Sequence, residues 1–107
     1  MQFKNYKTLK TKIKGKPGVF NLYVADTPKK KSLGLSRIKS IPKNSGMIFV
    51  YDDDQPRTFT MKNTYIPLHI IFLDKNYNVV HQEKGMPRQR NSIECLKDCR
   101  YVVEIPG

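Results

Sequence analysis

Apolar and polar residues alternate with period two along much of the chain. In Tyr6–Lys14, Leu9, Thr11 and Ile13 fall on one face and Lys10, Lys12 and Lys14 on the other. That spacing predicts a strand with one solvated face, and lysines along a sheet edge discourage unwanted pairing. Lys16-Pro17-Gly18 reads as a turn, and Val19–Ala25, β-branched and aromatic, as the returning strand of a hairpin. Asp26-Thr27-Pro28 then has the chemistry of a helix start. The Thr27 hydroxyl suits free backbone N–H groups and Pro28 suits the first helical position, so the spacing predicts a short helix over 28–34 ending at Gly34.

Further on, the pattern predicts a strand at Met47–Tyr51, a loop at Asp52–Pro56, a strand at Arg57–Met61 and a turn at Lys62–Pro67. Leu68–Leu73 is apolar on both faces apart from His69, as a central, doubly buried strand requires. Asp74–Asn78 reads as a hairpin loop before Val79–Glu83, and Gly85–Lys97 as a long irregular segment. Arg100–Ile105 closes the chain, with Tyr101, Val103 and Ile105 expected inward and Arg100, Val102 and Glu104 outward. About seven short strands and one short helix, with no repeat and no linker, define an all-β class, a β-sandwich or partly open barrel.

Composition bounds this picture. The 107 residues, 38% of them apolar, make one domain over residues 1–107 with a modest core. The longest uncharged apolar stretch, Thr64–Leu73, contains Pro67 and is far short of the about 20 residues a spanning helix needs, so no membrane association is expected. Met1–Lys7 lacks an apolar run, so no leader peptide and a cytoplasmic location are expected. Cys95 and Cys99 are too few for a disulfide framework and read as reduced structural thiols. His69 and His81 lack zinc-site spacing, so neither a metal nor a cofactor is expected.

The net charge of +11 is uneven. Residues 1–43 carry twelve Lys/Arg and one acid, whereas residues 44–107 carry eight of each. Such asymmetry marks a polyanion-binding face in one reading. In the other it is base composition, since fifteen of the twenty basic residues are Lys, as an AT-rich genome produces without selection for binding.

Gly46-Met47-Ile48-Phe49-Val50-Tyr51-Asp52, followed by Phe59–Asp74, resembles the signature of the bacterial family catalogued as "domain of unknown function 192". Ala25-Asp26-Thr27-Pro28 with Gly34-Leu35 resembles that family's first motif, and Arg100–Gly107 its closing strand. The likeness covers most of residues 18–107 in order and spacing. Three departures stand out: Thr60 replaces the family's usual tryptophan, His69 replaces its usual aspartate, and the chain stops at Gly107 where many members continue through one more strand pair. The short, Lys-rich form is similar to stand-alone versions encoded by bacteriophages, which would put the chain in the host cytoplasm or the virion. The resemblance implies a small jelly-roll-like β-sandwich or barrel and supplies no activity.

The leading candidate site is Met61, Lys62, Asn63 and Thr64, where a charge, an amide and a hydroxyl could hold a carboxylate or phosphate. The competing reading is that Asn63 and Thr64 only cap a turn. Asp26 reads first as a helix cap and second as a catalytic carboxylate. Asp52-Asp53-Asp54 reads as a solvated loop rather than a cation site. His69 reads as a hydrogen-bonded structural residue. His81 on the returning strand is expected to face it, but no nucleophile accompanies the pair, so no catalytic residue is assigned. Lys10, Lys12, Lys14, Lys29, Lys30 and Lys31, with Tyr6, Phe20 and Tyr23 nearby, suit single-stranded nucleic acid.

Without a coherent set of acid, base and nucleophile, the leading expectation is a non-catalytic binding or interaction module with an unidentified protein or small ligand as partner. The second is nucleic-acid binding through the basic N-terminal face. The third is a small enzyme acting on a sugar or phosphate-bearing substrate through Lys62, Asn63 and Asp26. A homo-oligomer stays open, because an unpaired sheet edge invites a second copy.

Overall fold

A computed structural model describes residues 3–107. Met1 and Gln2, on which the expectation about the chain start partly rests, lie outside the described residues. The elements in order are β1 (Thr8–Thr11), β2 (Phe20–Ala25), α1 (Pro28–Leu33), β3 (Ser45–Phe59), β4 (Leu68–Leu73), β5 (Val79–Gly85) and β6 (Ile93–Pro106). The fold is all-β with one short helix, as the alternation predicts. The strands form one sheet in the order β1-β2-β3-β6-β4-β5. β2 and β3 are parallel, with α1 in their connection, and the other neighbours are antiparallel.

Two strands are longer than the sequence pattern predicts. Asp52–Pro56 is not a loop between two strands but the middle of β3, and β6 begins at Ile93, inside the segment expected to be irregular. β3 and β6 run alongside each other through register shifts between Val50 and Gln55 and between Gln55 and Arg57, which bend the ribbon without ending it. The acids are tolerated there because they are exposed and ion-paired: Asp53 with Arg57 and Asp54 with Arg100, each at 2.7 Å. The molecule measures 32 × 31 × 28 Å, so the single sheet coils strongly upon itself. Its outer strands, β1 and β5, do not pair with each other, leaving a partly open barrel.

The central strands are apolar on both faces. Met47, Phe49, Ile70, Phe72 and Val102 pack on one, together with Leu35 and Met61. Leu22, Ile48, Ile71, Val103 and Ile105 pack on the other. This overturns the expectation that Val102 and Glu104 face solvent. β6 lies between β3 and β4, so alternation moves a side chain from one packed face to the other. Val102 is fully buried and Glu104 is only 4% exposed.

Candidate functional site

The first face carries a pocket of about 280 Å³ between the sheet, the C-terminal end of α1 and the turn after β3. The helix is placed by its caps. Thr27 Oγ1 accepts from the Lys30 N–H at 3.2 Å, Pro28 occupies the first turn, and the Gly34 N–H donates to the Lys30 carbonyl. Gly34 has φ of 51°, and a Cβ there would lie 3.3 Å from Phe49 Cζ. Glycine therefore permits both the left-handed turn and the close seating of the helix end on Phe49.

Glu104 lies in the sheet beneath the pocket. Its neighbours across the ladder are Met47 on β3 and Ile70 on β4, both fully buried and apolar. Burial pushes its carboxyl up to about 8, so the neutral acid prevails at pH 7. Tyr51 lines the same pocket with two cations against its ring: Lys31 Nζ is 4.4 Å and the Arg57 guanidinium carbon 3.8 Å from the centroid. Lys31 Nζ also donates to the Val50 carbonyl at 2.8 Å, and Arg57 donates to the Cys99 carbonyl at 3.2 Å. Burial raises the Tyr51 phenol to about 12. Arg57 pulls it down, while Cys99 and Glu104 add to the rise.

The turn after β3 supplies the opposite wall. The Thr64 N–H donates to the Met61 carbonyl at 3.0 Å. The Asn63 and Thr64 carbonyls accept from the N–H groups of Arg37 and Arg88 at 2.8 and 2.9 Å. Arg37 and Arg88 have φ of 64° and 57°, so two left-handed residues aim their N–H groups at this turn. With its backbone pinned on both sides, the turn presents Asn63 and Thr64 to the pocket, alongside Ser36, Thr58 and Thr60. Thr60 stands at this wall and offers it a small, hydroxylated side chain.

The four residues of the leading candidate are therefore divided. Asn63 and Thr64 line the pocket, Met61 is fully buried against Gly85 and Ile93 in the core, and Lys62 is exposed outside the lining. Asp26 is also outside it, 3.9 Å from Lys30. The basic residues do not form one face. Lys12 and Lys14 border a hollow on the opposite side of the sheet, while Lys10 is exposed on β1. Lys29, Lys30 and Lys31 are on α1, where Lys30 donates to the Asn5 carbonyl at 2.9 Å and lies over the Tyr6 ring. His69 and His81 do not face each other. The β4–β5 register sets His81 opposite Phe72, with its ring against that phenyl, and sets His69 on the other face, bonded to Gln82 at 2.9 Å. Sequence reasoning missed Glu104 and Tyr51. The signal for Glu104 was an acid inside the apolar run Val102-Val103-Glu104-Ile105.

The molecule is thus a small, coiled, all-β domain with a polar pocket over one face of its sheet. Residues 9–107 match the "domain of unknown function 192" family, described as "Uncharacterized ACR", and the chain belongs to that family. Among curated proteins none matches it in sequence. Two crystal structures share the fold. One, from Sinorhizobium meliloti 1021, is named as a candidate transcription regulator; it is 22% identical with a TM-score of 0.82, over 95% of this chain and 80% of that one. The other, a protein of unknown function from Novosphingobium aromaticivorans DSM 12444, is 26% identical with a TM-score of 0.83, over 95% and 74% of the two chains. In the described residues no helix is long and apolar enough to cross a membrane.

Proposed function

We propose that this chain is a non-catalytic binding module whose pocket takes a small, hydroxyl-rich solute about the size of one sugar ring. The observation that carries this reading is Glu104, a buried carboxyl at the edge of a polar pocket of about 280 Å³. A carboxyl set between Met47 and Ile70 costs stability, and an apolar residue of similar volume would pack there without that cost. Perturbed acids of this kind concentrate at functional sites. A neutral carboxyl both donates and accepts, which suits hydroxyl groups. Asn63, Thr64, Thr60 and the Tyr51 phenol add donors and acceptors, and Phe49 and Phe59 offer apolar faces. Among the described residues lining the pocket Glu104 is the one carboxyl, whereas glycoside hydrolysis ordinarily needs two, and this favours binding over hydrolysis.

The test is a titration of the isotopically labelled chain with a panel of neutral monosaccharides and polyols, followed by amide chemical shifts. The reading expects shifts confined to Tyr51, Asn63, Thr64 and Glu104 for at least one compound, and their loss in a folded Glu104→Leu variant. No response across the panel, or a response that survives Glu104→Leu, contradicts it.

A further inference from the structure

The opposite face of the sheet holds a larger hollow, of about 640 Å³, within the range of small-molecule sites. Its floor is Leu22, Ile48, Val103 and Ile71. The last three stand side by side in register on β3, β6 and β4. The edge strands make its walls, with Leu9 on β1 and Val79 on β5 left 44% and 47% exposed. Among the described residues the helix lies over the other face.

The charge around this apolar trough has one sign. Lys12, Lys14 and Lys16 line it, and no carboxylate does among the described residues. His69 also lines it, as a neutral group: burial first and Lys16 second hold its imidazole below the ordinary value. Its Nε2 lies 2.9 Å from Gln82 Oε1, and its buried Nδ1 has no hydrogen-bond partner. An apolar floor with three lysines along one side, a neutral side opposite at Tyr77, Val79 and Gln82, and no carboxylate among the described lining residues is complementary to a molecule with a hydrocarbon tail and a negative head. The floor is one side chain from each of four adjacent strands within a hollow of about 640 Å³, a volume on the scale of a single small molecule and not of a bilayer surface. We propose that this second hollow binds a monomeric, single-chain anionic amphiphile of the long-chain carboxylate class, with its tail along Ile48, Val103 and Ile71 and its head among Lys12, Lys14 and Lys16. This site is independent of the polar pocket on the other face.

Dodecanoate, kept below its micelle concentration, is the probe. Calorimetry should give one site per chain, and the amide shifts should fall on Ile48, Ile71 and Val103. Dodecyltrimethylammonium should bind at least about tenfold more weakly, because only the sign of its head group conflicts with the rim. Combined Lys12→Gln, Lys14→Gln and Lys16→Gln substitutions, all at exposed positions, should weaken dodecanoate by about tenfold. Val79→Glu, on the exposed wall, should weaken it as well. Equal affinity for the two head groups, shifts located elsewhere, or an unchanged triple variant would overturn the proposal. So would binding to phosphatidylglycerol vesicles without binding of monomeric dodecanoate, or dimerisation of the free chain through this face in light scattering.

Discussion

Glu104 lies within electrostatic reach of Tyr51 across the polar pocket, and an ionised Glu104 makes the phenol harder to deprotonate. Burial is the larger cause at Tyr51 and the sole one at Glu104. Both acids are therefore neutral near pH 7, and two cations, Lys31 and Arg57, are held against the tyrosine ring.

The neutral carboxyl has a consequence for stability. Below the ordinary carboxylate value of 4.5, Glu104 is protonated whether the chain is folded or unfolded. Between there and about 8 the unfolded chain releases the proton and the folded chain keeps it. Stability is thus lost as pH rises through this window, on the order of 3 kcal/mol by pH 7. Glu104→Gln cannot titrate, so its stability relative to the natural chain should rise between pH 4 and pH 8. Urea denaturation across that range checks this. A difference that does not change with pH contradicts it.

The packing around Glu104 leaves no room in the neighbouring strand. A Cβ at Gly46 would overlap the Glu104 carbonyl oxygen and lie 2.9 Å from Ile105 Cγ2. The backbone of a paired strand cannot step aside as a flexible side chain can. Gly46→Ala should cost about 3 kcal/mol or prevent folding, read from the midpoint of thermal unfolding. A loss below about 1 kcal/mol would show that the β3–β6 pairing is looser than described.

Much of the fold was legible because its signals are local. Thr27, Pro28 and Gly34 mark the helix within a residue of its observed ends, and Asp74–Asn78 marks the turn between β4 and β5. What stayed hidden depends on partners distant in sequence. Asp52-Asp53-Asp54 has the composition of a loop, but pairing with β6 and bonds to Arg57 and Arg100 hold it in a strand. The parallel pairing of β2 with β3 leaves no short-range mark. Alternation put Glu104 outside because that rule presumes one wet face, and β6 has none along this stretch. Asn63 and Thr64 were visible as polar residues at a strand end. Their meeting with Glu104 joins parts of the chain some forty residues apart, and that with Tyr51 spans the bend of β3, neither of which a local pattern encodes.

Arg57 links the long ribbon to the pocket. It covers the Tyr51 ring, pairs with Asp53 and donates to the Cys99 carbonyl. Lysine carries the charge but not the planar fork that makes these contacts together. Arg57→Lys should lower stability by about 1–2 kcal/mol in thermal or urea unfolding. An unchanged midpoint would mean that the contacts contribute nothing net.

The two thiols are free and buried, and burial, with Cys95 second, pushes Cys99 up to about 11. Two units above the ordinary thiol leave about a hundredfold less thiolate at pH 8, before any shielding by the fold. Reaction with a disulfide reagent at pH 8 should therefore be at least that much slower for Cys99 in the folded chain than in urea. Equal rates would contradict the burial.

The central claim is that Glu104 is held as a neutral acid beside the polar pocket. A pH titration of its side-chain carboxyl by carbon-13 NMR, with Glu104→Gln to assign the resonance, tests it most directly. The account predicts a midpoint near 8, far above the surface carboxylates. A midpoint near 4.5 would place the group in water and remove the basis for the proposed site.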